Sequence, residues 1–348
     1  MRLTSELNVA TETSPDFGKP YTDPEFPGRE FHLPERLDLM VTGRCVLRCA
    51  GCWGPSHNSI KPEMSPADWQ SIVDYVDTNN RSDRYSTNNF AGYRAKVCIT
   101  GGEPLMYNGI EELARSFHEN GVPTTLSTTG HDPDRKLPTI LEYVQELGVP
   151  IDGHTPEFNA MWREGKLEDG GLSAALGALV LAQTEYPDVQ LTLRTLIHAG
   201  NAESIPLIPE LLERNRIEAK NIVWKFYKPN TSTGPRKGEN KLRIDQSVFD
   251  ELADKIAKFE PRFEKLDLLV PHMPQPRLII NHDGSSYFLR PNDGGKSEDI
   301  HVGNILTDPE VVITRLNNYH LDFILFSSSR AQTMDYLRLH GIGGDTTT

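Results

Sequence analysis

The sequence predicts an α/β protein, a partial (β/α)6 barrel of TIM-like form with a C-terminal α+β extension. Between residues 36 and 230, β-prone runs alternate with helical stretches of about ten to fifteen residues, the rhythm of parallel βαβ units. After Pro229 that rhythm breaks, and Asp283-Gly284 between two β-prone runs signals a hairpin. The 348 residues are 37% hydrophobic and 24% charged with no long biased tract, which suits one large core.

Residues 1–35 read as an irregular arm, because Pro20, Pro24, Pro27 and Pro34 interrupt any period. Residues 36–41 alternate and are β-prone, so they form the first strand, with a cysteine-bearing loop after it. Ser65-Pro66 marks an N-cap and first position for a helix over 67–77, and the Asn-rich stretch 78–94 is a surface insertion. Strands follow at 96–100, 124–128, 149–152, 190–196 and 221–227, with helices over 108–120, 133–147, 172–185 and 205–214. Gly121 and Gly148 are read as the residues just past two of these helices. A loop over 230–240, a helix over 246–259 and strand-like 278–281 and 287–290 complete the chain. The domains are therefore the arm at 1–35, a core at 36–230 and an extension at 231–348 packed on the barrel.

The net charge of −13 opposes non-specific binding to nucleic acid or to an anionic membrane. The first residues lack the apolar core of a signal peptide and no run of 18 apolar residues occurs, so a cytoplasmic protein is expected. Four cysteines are too few for a disulfide framework, and three of them fall within eight residues.

Cys45, Cys49 and Cys52 can turn three thiols toward one metal centre. A [4Fe–4S] cube usually takes four cysteines, so three leave one iron open to a small chelating molecule. A structural zinc site is the alternative, with His57 as the nearest fourth ligand, but zinc prefers paired Cys-x-x-Cys units and the second pair is missing. Cys98, inside a strand, reads as a buried small side chain.

The Cys-x-x-x-Cys-x-x-Cys loop after the first strand, followed by Thr100-Gly101-Gly102-Glu103-Pro104, resembles the radical S-adenosylmethionine (SAM) superfamily over about residues 36–230. The resemblance implies a [4Fe–4S] cluster on the three cysteines, with Gly101, Gly102, Glu103 and Pro104 holding the amino group of SAM. It places Ser127 and Thr129, in Leu126-Ser-Thr-Thr-Gly130, near the ribose, and Arg194 at the SAM carboxylate. Gly200-Asn-Ala-Glu203 matches the region near the adenine, with Glu203 its polar member. Ile151-Asp152-Gly153 resembles the family's Ser-Leu-Asp-Gly segment, and Glu157, Asn159 and Arg163 fall near its usual sequel. Relatives place an aromatic residue before the third cysteine where this chain has Gly51, so Trp53 is expected to cover the adenine or the cluster instead.

The same resemblance implies that an electron, from a flavodoxin or ferredoxin donor, cleaves SAM to a 5′-deoxyadenosyl radical that takes hydrogen from the substrate. Gly303-Asn304-Ile305 is similar to part of the SPASM or Twitch extensions, which bind further clusters through cysteines. No cysteine follows Cys98, so an auxiliary cluster is not expected and redox-neutral outcomes such as decarboxylation or elimination are favoured. Lys225, Lys228, Arg236 and Lys237 with Trp224 and Tyr227 suggest a patch for a small anionic sugar or nucleoside, the rings stacking on the aromatics. Among single-cluster relatives the chain most resembles the cytosylglucuronate decarboxylase type of nucleoside-antibiotic biosynthesis. Lys228, His154 and Glu30 are the candidate acid–base residues. The alternatives are a peptide-modifying maturase or epimerase, though no leader-peptide domain is evident in the arm, and a non-catalytic iron–sulfur protein.

Overall fold

The structure is a computed structural model that describes residues 36–50, 52, 61–81, 95–227, 244–269, 277–291, 297–309, 311–312 and 314–316. Among the described residues ten strands form one sheet: β1 (Arg36–Met40), β2 (Lys96–Thr100), β3 (Thr124–Ser127), β4 (Glu146–Pro150), β5 (Gln190–Leu196), β6 (Ile222–Tyr227), β7 (Lys265–Leu269), β8 (Arg277–Asn281), β9 (Ser285–Pro291) and β10 (Ser297–Asn304). Their order is β10-β9-β8-β1-β2-β3-β4-β5-β6-β7. All neighbours from β8 to β7 are parallel, and only the β8–β9 and β9–β10 pairs are antiparallel. Among the described residues the sheet is open between β7 and β10, a partial barrel.

The outer face carries the core. Leu37, Leu39, Val97, Ile99, Leu126, Leu147, Leu191, Leu193, Trp224 and Phe226 all point that way and are buried in one cluster. Helix α1 (Pro66–Arg81) covers it with Trp69, Ile72, Val73 and Val76, and α2 (Ile110–Glu119) with Ile110, Leu113, Ala114 and Phe117. Both sets recur at i, i+3, i+4 and i+7, a single helical stripe. Each fully buried large side chain contributes roughly 1.5–3 kcal/mol. Ser65 caps α1 reciprocally: Asp68 Oδ2 accepts from Ser65 N and Oγ at 2.8 Å, and Asp68 N donates to Ser65 Oγ at 3.3 Å. Shorter helices α3 (Leu137–Leu141) and α4 (Pro156–Ala160) precede α5 (Leu172–Glu185), α6 (Ile208–Arg214) and α7 (Gln246–Ala257).

Three expectations change. The helix expected over 133–147 is only the single turn of α3, and residues 146–150 are a strand. Gly148 lies in mid-strand rather than past a helix, where a Cβ would stand 2.4 Å from Arg194 Cζ. The glycine leaves room for that guanidinium to cross β4. The strands of the extension join the sheet itself: β7 pairs with β6, and β8 pairs parallel with β1. In β8, Leu278, Ile279, Ile280 and Asn281 are buried in sequence, as parallel strands covered on both faces are. Finally, α4 and β7 arise where no element was expected. Thr155 caps α4, its Oγ1 accepting from Phe158 N at 3.5 Å.

The hairpin at Asp283-Gly284 forms as expected, with Gly284 at φ +81°. Among the described residues no helix is long and apolar enough to cross a membrane.

Candidate active site at the carboxyl edge of the sheet

The loops after β1 and β2 leave the same edge and remain zipped together. Val41 N donates to Thr100 O at 2.9 Å, Gly102 N to Thr42 O at 2.7 Å, and Glu103 N to Arg44 O at 2.7 Å. Gly101 has φ +149°, and a Cβ there would lie 2.7 Å from Thr42 O. At Gly102 a Cβ would lie 2.2 Å from Arg44 O and 3.1 Å from Cys45 Cβ. Both glycines are thus required for the turn to lie flat on the backbone that enters the cysteine loop. Sequence reasoning assigned them to the approach of a ligand; the structure uses them to join the two motifs.

Cys45, Cys49 and Cys52 are unbridged and half-buried. Leu47 N donates to Cys45 Sγ at 3.4 Å, and Cys52 N donates to the Cys49 carbonyl at 3.2 Å, a turn that brings the last two cysteines together. Burial pushes the Cys45 thiol up to about 12 and the Cys49 thiol up to about 11; Arg163 pulls the latter the other way. These thiols favour the protonated form until a metal displaces the proton. Among the described residues no three His, Cys, Asp or Glu side chains close round one point as a single ion needs. Three free cysteines on one loop are the donor set that a cubane takes, one thiolate to each of three irons.

A strap of residues 162–166 runs antiparallel beside this loop. Ala50 N donates to Trp162 O at 3.0 Å, Arg48 N to Glu164 O at 2.5 Å and Lys166 N to Val46 O at 2.9 Å, around a bridge between Leu47 and Gly165. Trp162 packs on Ala50 and Cys49. The strap was not legible in the sequence beyond the isolated Arg163.

Glu103 is fully buried and its carboxylate is taken up within the protein. Oε1 accepts from Leu105 N at 3.2 Å and Thr128 Oγ1 at 2.5 Å; Oε2 accepts from Thr129 N at 2.8 Å and Thr129 Oγ1 at 2.5 Å. Burial pushes its pKa up against these four bonds. With each oxygen accepting twice, Glu103 ties the turn after β2 to the end of β3. The Thr129 hydroxyl belongs to the same knot. Pro104 is buried in a single 3-10 turn after it.

Ser127 and Arg194 do meet, Arg194 Nη1 donating to Ser127 Oγ. The guanidinium turns back across Gly148 toward Glu146, the first residue of β4, at 3.7 Å. That direction leads away from the carboxyl edge. At the edge itself the buried Asp152 holds Arg163, Oδ2 to Nε at 2.7 Å, and its Oδ1 accepts from Leu196 N at 2.7 Å. Asn159 and Asn201 brace its backbone, at 2.8 Å each. His154 is half-buried, pairs through Nδ1 with Ser204 Oγ at 2.6 Å and stacks on Phe158. Glu203 is exposed. Trp224 cannot stack on a substrate: it is fully buried on the outer face against Phe226 and Phe263, and its Nε1 donates to Thr195 Oγ1 at 2.9 Å. Cys98 is buried, as expected. Trp53, Glu30, Lys228, His57, Arg236 and Lys237 lie outside the described residues.

Residues 39–169 match the sequence profile of the Radical SAM superfamily. The chain is 30% identical over 181 residues to the Fe-coproporphyrin III synthase of Methanosarcina barkeri, covering 51% of this chain and 40% of that relative. The fold is similar to that of anSMEcpe with bound AdoMet, TM-score 0.59 at 14% identity over 88% of this chain and 87% of the other. It is also similar to Streptococcus suis SuiB bound to its precursor peptide SuiA, TM-score 0.52 at 14% identity over 73% and 59%.

Proposed function

From a chain that carries a radical SAM domain, we propose an enzyme that reductively cleaves S-adenosylmethionine and takes hydrogen from a small anionic substrate, with a redox-neutral outcome such as decarboxylation or elimination. The family uses a [4Fe–4S] cluster and SAM, which when reduced supply a 5′-deoxyadenosyl radical able to attack an unactivated carbon. One observation carries the proposal: the Gly101-Gly102 turn lies directly on the backbone leading to Cys45, so the two motifs form one surface.

Cys45, Cys49 and Cys52 hold the cluster. The Gly101–Glu103 backbone borders it and meets the amino group of SAM, while Glu103 fixes that backbone by gripping Thr128 and Thr129. His154, oriented by Ser204, is the described candidate for moving a proton. An electron donor of the flavodoxin or ferredoxin class completes the system.

The anionic substrate rests on the lumen. Asp38 is shared by Arg36 at 2.6 Å and Arg277 at 3.4 Å, and Glu146 by Lys225 at 3.3 Å and Arg194 at 3.7 Å. Each carboxylate thus faces two cations on the lumen face toward the amino ends of the strands, within a chain of net charge −13. These cations would draw a carboxylate or phosphate on a substrate held at the carboxyl edge through their field rather than by contact. Within these 348 residues no cysteine follows Cys98, so the chain offers no thiols for a second cluster to take up electrons from the product. A sugar nucleoside bearing a carboxylate meets these conditions. The peptide alternative draws on the likeness to SuiB, which at 14% identity speaks for the fold alone.

Anaerobic reconstitution tests this. Reduced protein should release 5′-deoxyadenosine from SAM, and deuterium should pass into it from labelled uronate-bearing nucleosides. No cleavage of SAM would overturn the enzyme; label arriving only from peptides would overturn the substrate class.

A further inference from the structure

The strap opposite the cysteine loop carries one charge whose place is fixed by the backbone. The Leu47–Gly165 bridge and the Arg48–Glu164 and Ala50–Trp162 hydrogen bonds set a single register, in which Arg163 lies directly across from Cys49. Residues directly opposite in an antiparallel pair put their side chains on the same face, with Cβ atoms about 4.5–5.5 Å apart. The register cannot slip easily. A Cβ at Gly165, where φ is +147°, would lie 2.4 Å from Val46 O, so only this glycine lets the strands approach here. Trp162 is anchored on Ala50 and Cys49. A shift of one residue would turn Arg163 away from the thiols.

The guanidinium is held from behind as well. Its Nε meets Asp152 Oδ2 at 2.7 Å, and Asp152, fully buried, is itself pinned by Leu196 N. Arg163 thus stands between a fixed carboxylate and the loop's sulfurs, its side chain only 11% exposed. We propose that Arg163 is a positioning residue that sets the reduction potential of the cluster, holding a positive charge against the Cys49 side of the site while Asp152 partly opposes it. The proposal rests on the three thiols holding that cluster. Reduction adds one negative charge, and in a poorly solvated site a cation a few ångströms away makes that addition easier.

The two residues carry opposite charges, so their removal should move the potential in opposite directions, which a purely structural role would not do. The test is a redox titration of anaerobically reconstituted protein without SAM, following the signal of the reduced cluster by electron paramagnetic resonance. Arg163→Gln should lower the ratio of reduced to oxidised cluster at least tenfold at fixed solution potential, about 59 mV for a one-electron couple. Arg163→Lys, which keeps the charge, should recover most of that. Asp152→Asn should raise the ratio. Arg163→Gln with a full cluster and the wild-type midpoint would overturn the proposal, as would shifts of the same sign in Arg163→Gln and Asp152→Asn. Should Arg163→Gln fail to load, an unchanged midpoint in Asp152→Asn overturns it. Wild-type protein that assembles no cluster would instead remove the reading beneath it.

Discussion

Replacing Gly102 by alanine perturbs the joint between the two motifs. The added Cβ would lie 2.2 Å from Arg44 O and 2.7 Å from Arg44 C, both backbone atoms that cannot swing aside. Carbon–oxygen contacts shorten only to about 3.3 Å, so the turn and the cysteine loop must part by about 1 Å. That separation breaks the bonds from Gly102 N to Thr42 O and from Glu103 N to Arg44 O, now 2.7 Å each. Two backbone hydrogen bonds at about 0.5–1.5 kcal/mol apiece, with overpacking of about 1–3 kcal/mol, put the loss near 2–6 kcal/mol. An error of about 1 Å in aligned groups can cost about 100-fold in rate. Urea unfolding should report the first quantity and release of 5′-deoxyadenosine the second. Gly177→Ala is the control, because nothing lies within 4 Å of its Cβ inside α5, and it should gain about 0.5–1 kcal/mol. A Gly102→Ala protein with wild-type stability and wild-type cleavage would refute the reasoning.

Glu103→Gln replaces one doubly accepting oxygen with an NH2 group that faces donors from Thr128 and Leu105, or from Thr129. Stability should fall by about 2–5 kcal/mol in urea unfolding, and an unchanged midpoint would contradict the knot described for Glu103. The atoms nearest to the Cβ that Gly148→Ala adds belong to the Arg194 side chain, with Cζ 2.4 Å away. The arginine can move, so the expected loss is about 1–3 kcal/mol with iron content at the wild-type level. Burial raises the Asp283 carboxyl, but Lys61 and Ser285 more than offset it and hold it at about 2. The Lys61 pair therefore stabilises fully above the ordinary carboxylate pKa of about 3.9, and its contribution fades as pH falls toward 2. Pairing also raises Lys61, so the contribution is lost again above the ordinary lysine range. Lys61→Ala should cost of the order of 0.5 kcal/mol near pH 7, since the lysine is largely exposed, and progressively less as pH falls through 2.

Much of the sheet could be read from local pattern. Residues 190–196 alternate and form β5 with those bounds, and the cysteine loop and glycine turn follow β1 and β2 as expected. What escaped depends on partners distant in sequence. Gly148 looks like a helix stop until Arg194 is seen lying over it. Residues 265–269 and 277–281 carry no sign of which strand they will join, and they extend opposite sides of the parallel sheet. Trp224 and Lys225 face opposite ways by simple alternation, yet only packing against Phe263 reveals that the tryptophan side is the core. At the site, residue types were legible but their engagements were not. Glu103 and Thr129, assigned separately to a ligand, are bound to each other, and Arg194 answers to Ser127 and Glu146.

The central claim is that three thiolates leave one iron of a cubane free for SAM, and its most direct measurement is the spectrum of the reduced protein with and without SAM. Reconstituted wild type should bind about four irons per chain and give a reduced-cluster resonance whose line shape changes on adding SAM, with Cys49→Ala giving neither. A cluster whose resonance ignores SAM, or a Cys49→Ala protein that behaves as wild type, would contradict it.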